Sequence, residues 1–351
     1  MGKTTLFLNG EILTANARDE LAEAMLIEDE RILFVGDEED ALALADFDTE
    51  VVDLEEKSII PGFINTYPTS VFSEGAETRI LEARACEALA NGWTSLRLSS
   101  DSLAVLRGLV ARGEVTATVA PYLFRLYERA ELLAERCRFI RLKSTELESE
   151  SAFRKVEWAL SDRRPIAFDV SDGRELREVR EFLLSFSTPR IGTHRNRLYL
   201  SGGLSPQLFP FLLSHRLLPI FLERDPESAA SLLALRELGL SAVLASSELL
   251  FSLLMLSETL APLGDDYRSV PSLVTAATLH AAELELAEAE LGSLEWGKFA
   301  DFLILSEPLV GCPPSRLPSL GIAECWIGGR RLAFPPSDAF TDCSKIIFKK
   351  Y

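Results

Sequence analysis

The first sixty residues alternate short apolar runs with turn residues, a rhythm that predicts β-strands. LFLNGEILT carries a hairpin signal at Asn9-Gly10, and AMLIEDERILFVG repeats the pattern around residues 28–30. A short helix is predicted over residues 38–45 and a further strand over residues 50–54. The opening segment therefore reads as a small, turn-rich β-structure.

The same strand-and-turn style returns at the C-terminal end of the chain. GSLEWGKFADFLIL alternates apolar residues with glycine turns, and CWIGGRRL predicts a hairpin at Gly328-Gly329. Because the two ends resemble each other and differ from the middle, we predict one composite β-sandwich formed from residues 1–57 and 292–351.

From residue 58 onward, apolar runs of strand length alternate with amphipathic helical stretches. Helical spacing of apolar residues is clearest over residues 77–91, 102–112, 149–160 and 175–185. Eight strand–helix units predict a (β/α)8 TIM barrel over residues 58–291, with a doubly wound open sheet as the alternative. The predicted strands cover residues 59–65, 94–99, 116–124, 139–143, 165–170, 197–201, 218–223 and 242–246.

The composition limits which binding partners and which cellular location we expect for the protein. Of the 351 residues, 47% are hydrophobic, enough for a large core, yet no apolar run is long enough to span a membrane. A net charge of -18 repels nucleic acid and anionic membranes, which leaves a small molecule or a second copy of the chain as partner. The five cysteines form no CxxC pair, and the N-terminus lacks a signal-peptide pattern, so we expect a cytoplasmic protein without disulfides.

Two segments of the sequence carry a family resemblance. ILTANARDELAEAMLIEDERILFVGDEEDA with VVDLEEKSIIPGFINTYPTS resembles the N-terminal signature of the amidohydrolase superfamily, of the metal-dependent hydrolase composite-domain type. VTAATLHAAELELAEAELGSLEWGKFADFLIL resembles its C-terminal signature. The resemblance implies a metal-bearing (β/α)8 barrel, a sandwich from both chain ends, and hydrolysis of C–N bonds in cyclic amides and similar small molecules.

The same resemblance implies one or two divalent metals, usually zinc, and here the sequence departs from the family. The first strand of the family ends in Asp-x-His-x-His, in which two imidazoles two residues apart face one metal. In PGFINTYPTS, Asn65 stands at the aspartate position, and Tyr67 and Thr69 stand at the histidine positions. Neither a phenol nor a hydroxyl replaces imidazole well as a zinc ligand.

Later strands depart in the same way. Lys143 matches the lysine that bridges two metals in the family, but Asp169 and Gly202 stand where the fifth and sixth strands should deliver histidine. Ser247, followed by Glu248, stands where the eighth should deliver the aspartate that serves as ligand and base. We therefore expect no metal cofactor.

The chain has three histidines, and none follows a predicted strand. His194 precedes the sixth strand, His215 lies near a helix end, and His280 lies in a helix after the barrel. We expect all three to be surface or helix-end residues rather than metal ligands.

Polar residues past the strand ends define the candidate site, because such residues line the mouth of a barrel. Lys143 and Asp169 lie on adjacent predicted strands, either as an ion pair that neutralises the barrel end or as a metal-free acid–base pair. Asp169 with Glu223 is also a conceivable hard-cation site. The remaining candidate pocket residues are Asn65, Tyr67, Thr69, Arg97, Glu223, Ser247 and Glu248.

Three functions are open at this point. The first is an amidohydrolase-like pseudoenzyme that binds a small molecule or a protein partner. The second is an active hydrolase of non-peptide C–N bonds, with a remodelled or metal-free site that uses Lys143 and Asp169. The third is a structural or oligomer-forming role. Fold similarity alone does not choose among them.

Overall fold

The computed structural model describes residues 2–72, 74–186, 195–222, 226–246, 252–260 and 270–332. The strands are β1 (Thr4–Leu8), β2 (Glu11–Leu13), β3 (Leu21–Ala22), β4 (Ala24–Glu28), β5 (Arg31–Gly36), β6 (Glu50–Asp53), β7 (Ser58–Pro61), β8 (Phe63–Thr69), β9 (Trp93–Leu98), β10 (Ile140–Lys143), β11 (Ile166–Val170), β12 (Asn196–Leu200), β13 (Leu217–Phe221), β14 (Val243–Leu244), β15 (Phe302–Leu305), β16 (Ile322–Ile327) and β17 (Arg330–Leu332). The helices are α1 (Glu38–Leu44), α2 (Thr78–Ala90), α3 (Ser100–Ala111), α4 (Pro121–Arg136), α5 (Glu150–Ser161), α6 (Gly173–Leu184), α7 (Phe209–His215), α8 (Pro226–Glu237), α9 (Ser252–Leu260), α10 (Val270–Ala277) and α11 (Leu279–Leu284). No helix among these residues is long and apolar enough to span a membrane.

Strands from the two ends of the chain form two facing sheets. One sheet has the order β5-β4-β1-β6, and the other has the order β17-β16-β15-β7-β2-β3, so N-terminal and C-terminal strands share the second sheet. Three aromatic rings fill the space between them. Phe7 meets Phe302 and Trp326 edge-on at centroid distances of 5.2 Å, and Phe302 stacks on Trp326.

The predicted hairpins at residues 28–30 and Gly328-Gly329 are confirmed, because β4 pairs with β5 and β16 pairs with β17 in antiparallel fashion. The hairpin predicted at Asn9-Gly10 is wrong. The chain does turn there, with Asn9 at a φ of 57°, but β1 and β2 enter different sheets. β1 pairs in parallel with β6, and Leu54 donates to the carbonyl of Leu8 beyond that ladder.

The strand predicted over residues 59–65 is divided at Gly62. β7 pairs with β15, whereas β8 pairs with β9. At this residue the chain therefore passes from the two sheets formed by both chain ends, which we call the composite sheets, into the parallel strands. A Cβ atom at Gly62 would lie 2.2 Å from the side chain of Thr94. The close approach of the backbone to β9 therefore requires glycine.

The middle of the chain is a mixed α/β structure of parallel strands that alternate with helices. β8 pairs with β9, and β10 to β14 pair in sequence order. Among the described residues these strands form a two-stranded and a five-stranded sheet, not one closed ring. The strand predicted over residues 116–124 is wrong, because Pro121 begins α4 there. Pro121 suits the first helical turn, where its missing N–H costs nothing, and buried Leu123, Leu126 and Leu133 follow at helical spacing.

Both faces of the five-stranded sheet are buried, as expected for parallel strands covered by helices. In β11, Phe168 and Val170 face one apolar cluster with the flanking helices. Ala167 faces another, together with Tyr199 and with Ala281 and Leu284 of α11. Alternate strand residues therefore pack outward on helices or inward on α11.

A buried ion cluster joins the two parallel sheets on this inner side. The carboxylate of Glu285, just after α11, contacts Arg97 of β9 and Arg197 of β12, with 2.8 Å to Arg197 Nη1. Glu285 and Arg197 are fully buried. Burial on its own raises the pKa of Glu285, but the two guanidinium groups outweigh it and lower that pKa, so the carboxylate stays ionised.

A second buried ion pair ties α4 to the composite sheets. Arg129 contacts the carboxylate of Asp301 through Nε at 2.5 Å and Nη2 at 2.8 Å, and Gly328 N donates to Asp301 at 2.7 Å. The guanidinium also lies 4.1 Å from the ring centroid of Phe299. Both ion-pair partners are less than a tenth exposed.

We expect Arg129→Met to lower the free energy of unfolding by about 3–5 kcal/mol, because it leaves the carboxylate of Asp301 buried without its cation. The matched control is Arg107→Met, which breaks the exposed pair with Glu131 and should cost at most about 1 kcal/mol. Urea denaturation measures both. Equal losses in the two variants would contradict the assigned role of Arg129.

Candidate functional site

Four side chains meet near the carboxyl ends of the parallel strands. Arg141 of β10 binds Asp169 of β11, with 2.9 Å from Nε to Oδ2 and 2.8 Å from Nη2 to Oδ1. Its Nη2 also donates to the hydroxyl of Tyr67 in β8 at 3.3 Å. The guanidinium carbon lies 4.9 Å from the ring centroid of Tyr67 and 5.0 Å from that of Tyr199 in β12. Strands β8, β10, β11 and β12 thus contribute to one cluster, which we call the Arg141 cluster.

The cluster holds its guanidinium in one position. Tyr67 and Tyr199 meet edge-on at 5.7 Å, and the hydroxyl of Tyr199 donates to the carbonyl of Thr66 at 3.2 Å. Burial on its own lowers the pKa of Arg141, but the hydrogen bonds to Asp169 and Tyr67 outweigh it, and the pKa lies well above its usual range. Arg141 is therefore a fixed cation, half buried beside two aromatic rings.

The ion pair expected between Lys143 and Asp169 is not formed. The two residues are register partners on β10 and β11, as predicted, but Arg141 binds the carboxylate instead. Lys143 is exposed and makes no ion pair with any described residue, while its backbone N–H donates to Glu146 at 2.9 Å. Any catalytic role of Lys143 or Asp169 stays a prediction.

Asn65 and Thr69 are buried, and their side chains hydrogen-bond to backbone groups. The amide of Asn65 donates to the carbonyl of Ser246 at 2.9 Å and accepts from the N–H of Ser246 at 3.4 Å. Asn65 therefore bridges β8 to the segment after β14, where no ladder joins the described strands. Thr69 donates to the carbonyl of Arg97 at 3.3 Å, alongside the β8–β9 ladder.

Arg97 does not belong to the Arg141 cluster, and its predicted place in the pocket is corrected. Its guanidinium turns inward and contacts Glu285 and the carbonyls of Leu133 and Cys137, at 2.8 and 3.0 Å. Because Cys137 precedes β10, these contacts lie toward the amino ends of the strands. A long side chain can reach away from the strand end at which its residue stands.

Three predicted pocket residues, Glu223, Ser247 and Glu248, lie outside the described residues, as does His194. The two other histidines have structural partners. His215 is buried at the end of α7 and contacts Phe211 O at 3.0 Å through Nδ1. His280 contacts Ala242 O at 2.9 Å, and burial lowers its pKa, which keeps the imidazole neutral.

The described residues at the carboxyl ends of the strands do not fit a divalent metal. The positions that the resemblance assigns to ligands hold an amide, a phenol and a hydroxyl at residues 65, 67 and 69, and a carboxylate at Asp169. That carboxylate is already bound on both oxygens by a guanidinium, which would repel a cation. Within the described ranges, no three His, Cys, Asp or Glu side chains are placed to hold a metal.

Sequence reasoning missed Arg141 and Tyr199. A signal for Arg141 was present, because it lies two residues before Lys143 on the same strand and therefore on the same face. Tyr199 occupies the equivalent register position beside Asp169, so strand pairing, once known, identifies it.

Solved structures with similar folds cover almost the whole chain. An adenosine deaminase from Xanthomonas campestris, solved with bound zinc, aligns at a TM-score of 0.65 with 13% identity over 97% of each chain. An aminofutalosine deaminase from Helicobacter pylori aligns at 0.64 with 16% identity, and the guanine deaminase of E. coli at 0.63 with 15% identity. Both alignments cover 95% of this chain and 100% of the other. The chain shares the fold of these solved deaminases. At these identities the likeness shows the fold alone.

Similarity in sequence is local. The chain is 36% identical over 62 residues to the N-substituted formamide deformylase of Arthrobacter pascens, and 35% identical over 63 residues to the exoenzymes regulatory protein AepA of Pectobacterium carotovorum. Each match spans 18% of this chain, and only 11% and 14% of the two relatives. No family model matches the chain.

We expect Asn65→Asp, which restores the residue that the resemblance implies, to destabilise the protein by about 2 kcal/mol at neutral pH, because a carboxylate would face the carbonyl of Ser246. Burial beside that carbonyl should raise the pKa of the new carboxyl above its unfolded value of about 4. The deficit should thus be small near pH 4, where the protonated acid can donate, and grow as pH rises. Melting temperatures of variant and wild type from pH 4.5 to 8 measure it, and a deficit independent of pH would contradict the assigned hydrogen bonds.

Proposed function

We propose that this protein keeps an amidohydrolase-like fold, does not catalyse metal-dependent hydrolysis, and binds a small molecule at the carboxyl ends of its parallel strands. The observation that carries the proposal is the ion pair between Arg141 and Asp169. It lies in the region where the resemblance implies a metal and its ligands. Both carboxylate oxygens of Asp169 accept hydrogen bonds from the guanidinium there.

Metal-dependent hydrolysis needs a Lewis acid and a base that activates water. The side chains at the positions where a metal ligand or a base is expected already have partners within the protein. Asn65 hydrogen-bonds to Ser246, Thr69 hydrogen-bonds to Arg97, and Asp169 binds Arg141. Both oxygens of Asp169 accept hydrogen bonds from Arg141, so the carboxylate is already engaged and is not free to act as a base.

Ligand binding is the function that this arrangement favours. Arg141 and Asp169 keep 31% and 24% of their side-chain surface exposed, and Tyr67 is half buried. Oriented polar groups on an aromatic wall are the usual makings of a small-molecule site.

The second candidate is a hydrolase of non-peptide C–N bonds with a metal-free site. The local similarity to a formamide deformylase favours it, as does the exposed Lys143, which has no ion-pair partner among the described residues to neutralise it. In that case Lys143→Ala would abolish a measurable turnover. The engagement of Asp169 by Arg141 argues against the acid–base pair on which this candidate depends.

We expect the purified full chain, expressed in medium supplemented with zinc, iron and manganese, to retain well under one equivalent of any of these metals after gel filtration. We also expect no turnover across a panel of lactams, hydantoins and cyclic imides. Elemental analysis by mass spectrometry and end-point product assays measure the two quantities.

One equivalent of a tightly bound transition metal would refute the proposal. So would turnover that is abolished by Lys143→Ala and unaffected by Lys155→Ala, a matched exposed lysine on α5. The latter result would establish the metal-free hydrolase.

A further inference from the structure

The unused donors of the Arg141 cluster define a class of ligand. We infer that Arg141, Tyr67 and Lys143 bind the carboxylate of a small organic acid. The inference rests on the proposed function, that a small molecule binds at the carboxyl ends of the parallel strands, and adds the chemistry of the group that is recognised.

Arg141 retains donors after its contacts within the protein. A guanidinium has five N–H bonds. Nε and Nη2 are used on Asp169 and Tyr67, whereas Nη1 has no hydrogen-bond partner among the described residues. The N–H bonds of this one immobilised nitrogen are thus available to ligand acceptors, and the position of the nitrogen is fixed by the contacts of the other two.

Tyr67 and Lys143 add donors of the same kind. The hydroxyl oxygen of Tyr67 accepts from Arg141, so its own proton remains to be donated outward. Lys143 lies two residues beyond Arg141 on β10, on the same face of the strand, and is exposed. The three unused groups, Nη1 of Arg141, the hydroxyl of Tyr67 and the ammonium of Lys143, therefore all donate, and a carboxylate, which only accepts, is complementary to them.

Charge points in the same direction. Asp169 balances Arg141, and Lys143 leaves the described cluster with one positive charge in excess. This excess stands out on a chain with a net charge of -18. The ring of Tyr67, which is half buried, lies 4.9 Å from the guanidinium carbon and offers an apolar surface beside it, which favours an organic carboxylate over a fully polar anion such as phosphate.

The test uses benzoate and benzamide, which have the same shape and differ in charge, with inorganic phosphate as a third probe. Ligand-observed NMR titration of the full chain should give millimolar binding of benzoate. Benzamide and phosphate should each bind at least about tenfold more weakly. Arg141→Gln should remove the preference for benzoate, while Arg154→Gln, which breaks an exposed helical ion pair with Glu150, should leave it unchanged.

Lys143→Gln provides a second measurement in case Arg141→Gln does not fold, because an exposed lysine contributes little to stability. It should weaken benzoate about threefold without affecting benzamide. Equal affinity for benzoate and benzamide, tighter binding of phosphate, no binding of either aromatic probe, or benzoate binding unaffected by both substitutions would overturn the inference. Bound metal or turnover would instead refute the proposed function, so the two fail separately.

Discussion

The buried carboxylate of Glu285 is the contact on which the parallel strands most depend. Among the described residues, β8–β9 and β10–β14 are separate sheets without a shared backbone ladder. Arg97 from the first sheet and Arg197 from the second both bind Glu285, which follows the helix packed against their inner side. The carboxylate of Glu285 therefore connects the two sheets, whereas backbone hydrogen bonds connect the strands within each sheet. A buried ion cluster adds little net stability over an apolar core, but it is specific, because removing any one member leaves charges unpaired.

Asn65 has the corresponding role on the other flank. Its amide hydrogen-bonds to both backbone groups of Ser246 and so brings β8 beside the end of β14. An aspartate there could only accept, and it would leave the carbonyl of Ser246 without a donor. The residue that most clearly departs from the family signature is therefore one that the present packing requires.

Sequence reasoning predicted the alternation of strands and helices in the middle of the chain, because hydrophobic periodicity reports burial directly. It predicted a composite β-sandwich from both chain ends because the two ends share a strand-and-turn pattern. It failed at residues 116–124, since a short apolar run does not distinguish a strand from the start of a buried helix. It predicted Tyr67 and Asp169 near the strand ends but paired Asp169 with Lys143. Strand register alone favours Lys143 as the partner of Asp169. The planar guanidinium of Arg141 binds both carboxylate oxygens and makes the contact instead. Sequence spacing does not predict the direction that such a side chain takes.

These contacts also show how strand ends are joined in this protein by side chains alone. A metal centre would tie several strand ends together by coordination. In this chain a guanidinium joins β8, β10 and β11 through Tyr67 and Asp169, and Tyr199 adds β12 through its ring. The cation is covalently part of the chain and always charged, so this junction does not depend on the supply of a metal. A cation fixed in this way cannot present water as a nucleophile, but it can hold an anion, and on this difference in chemistry we base the proposal of binding rather than hydrolysis.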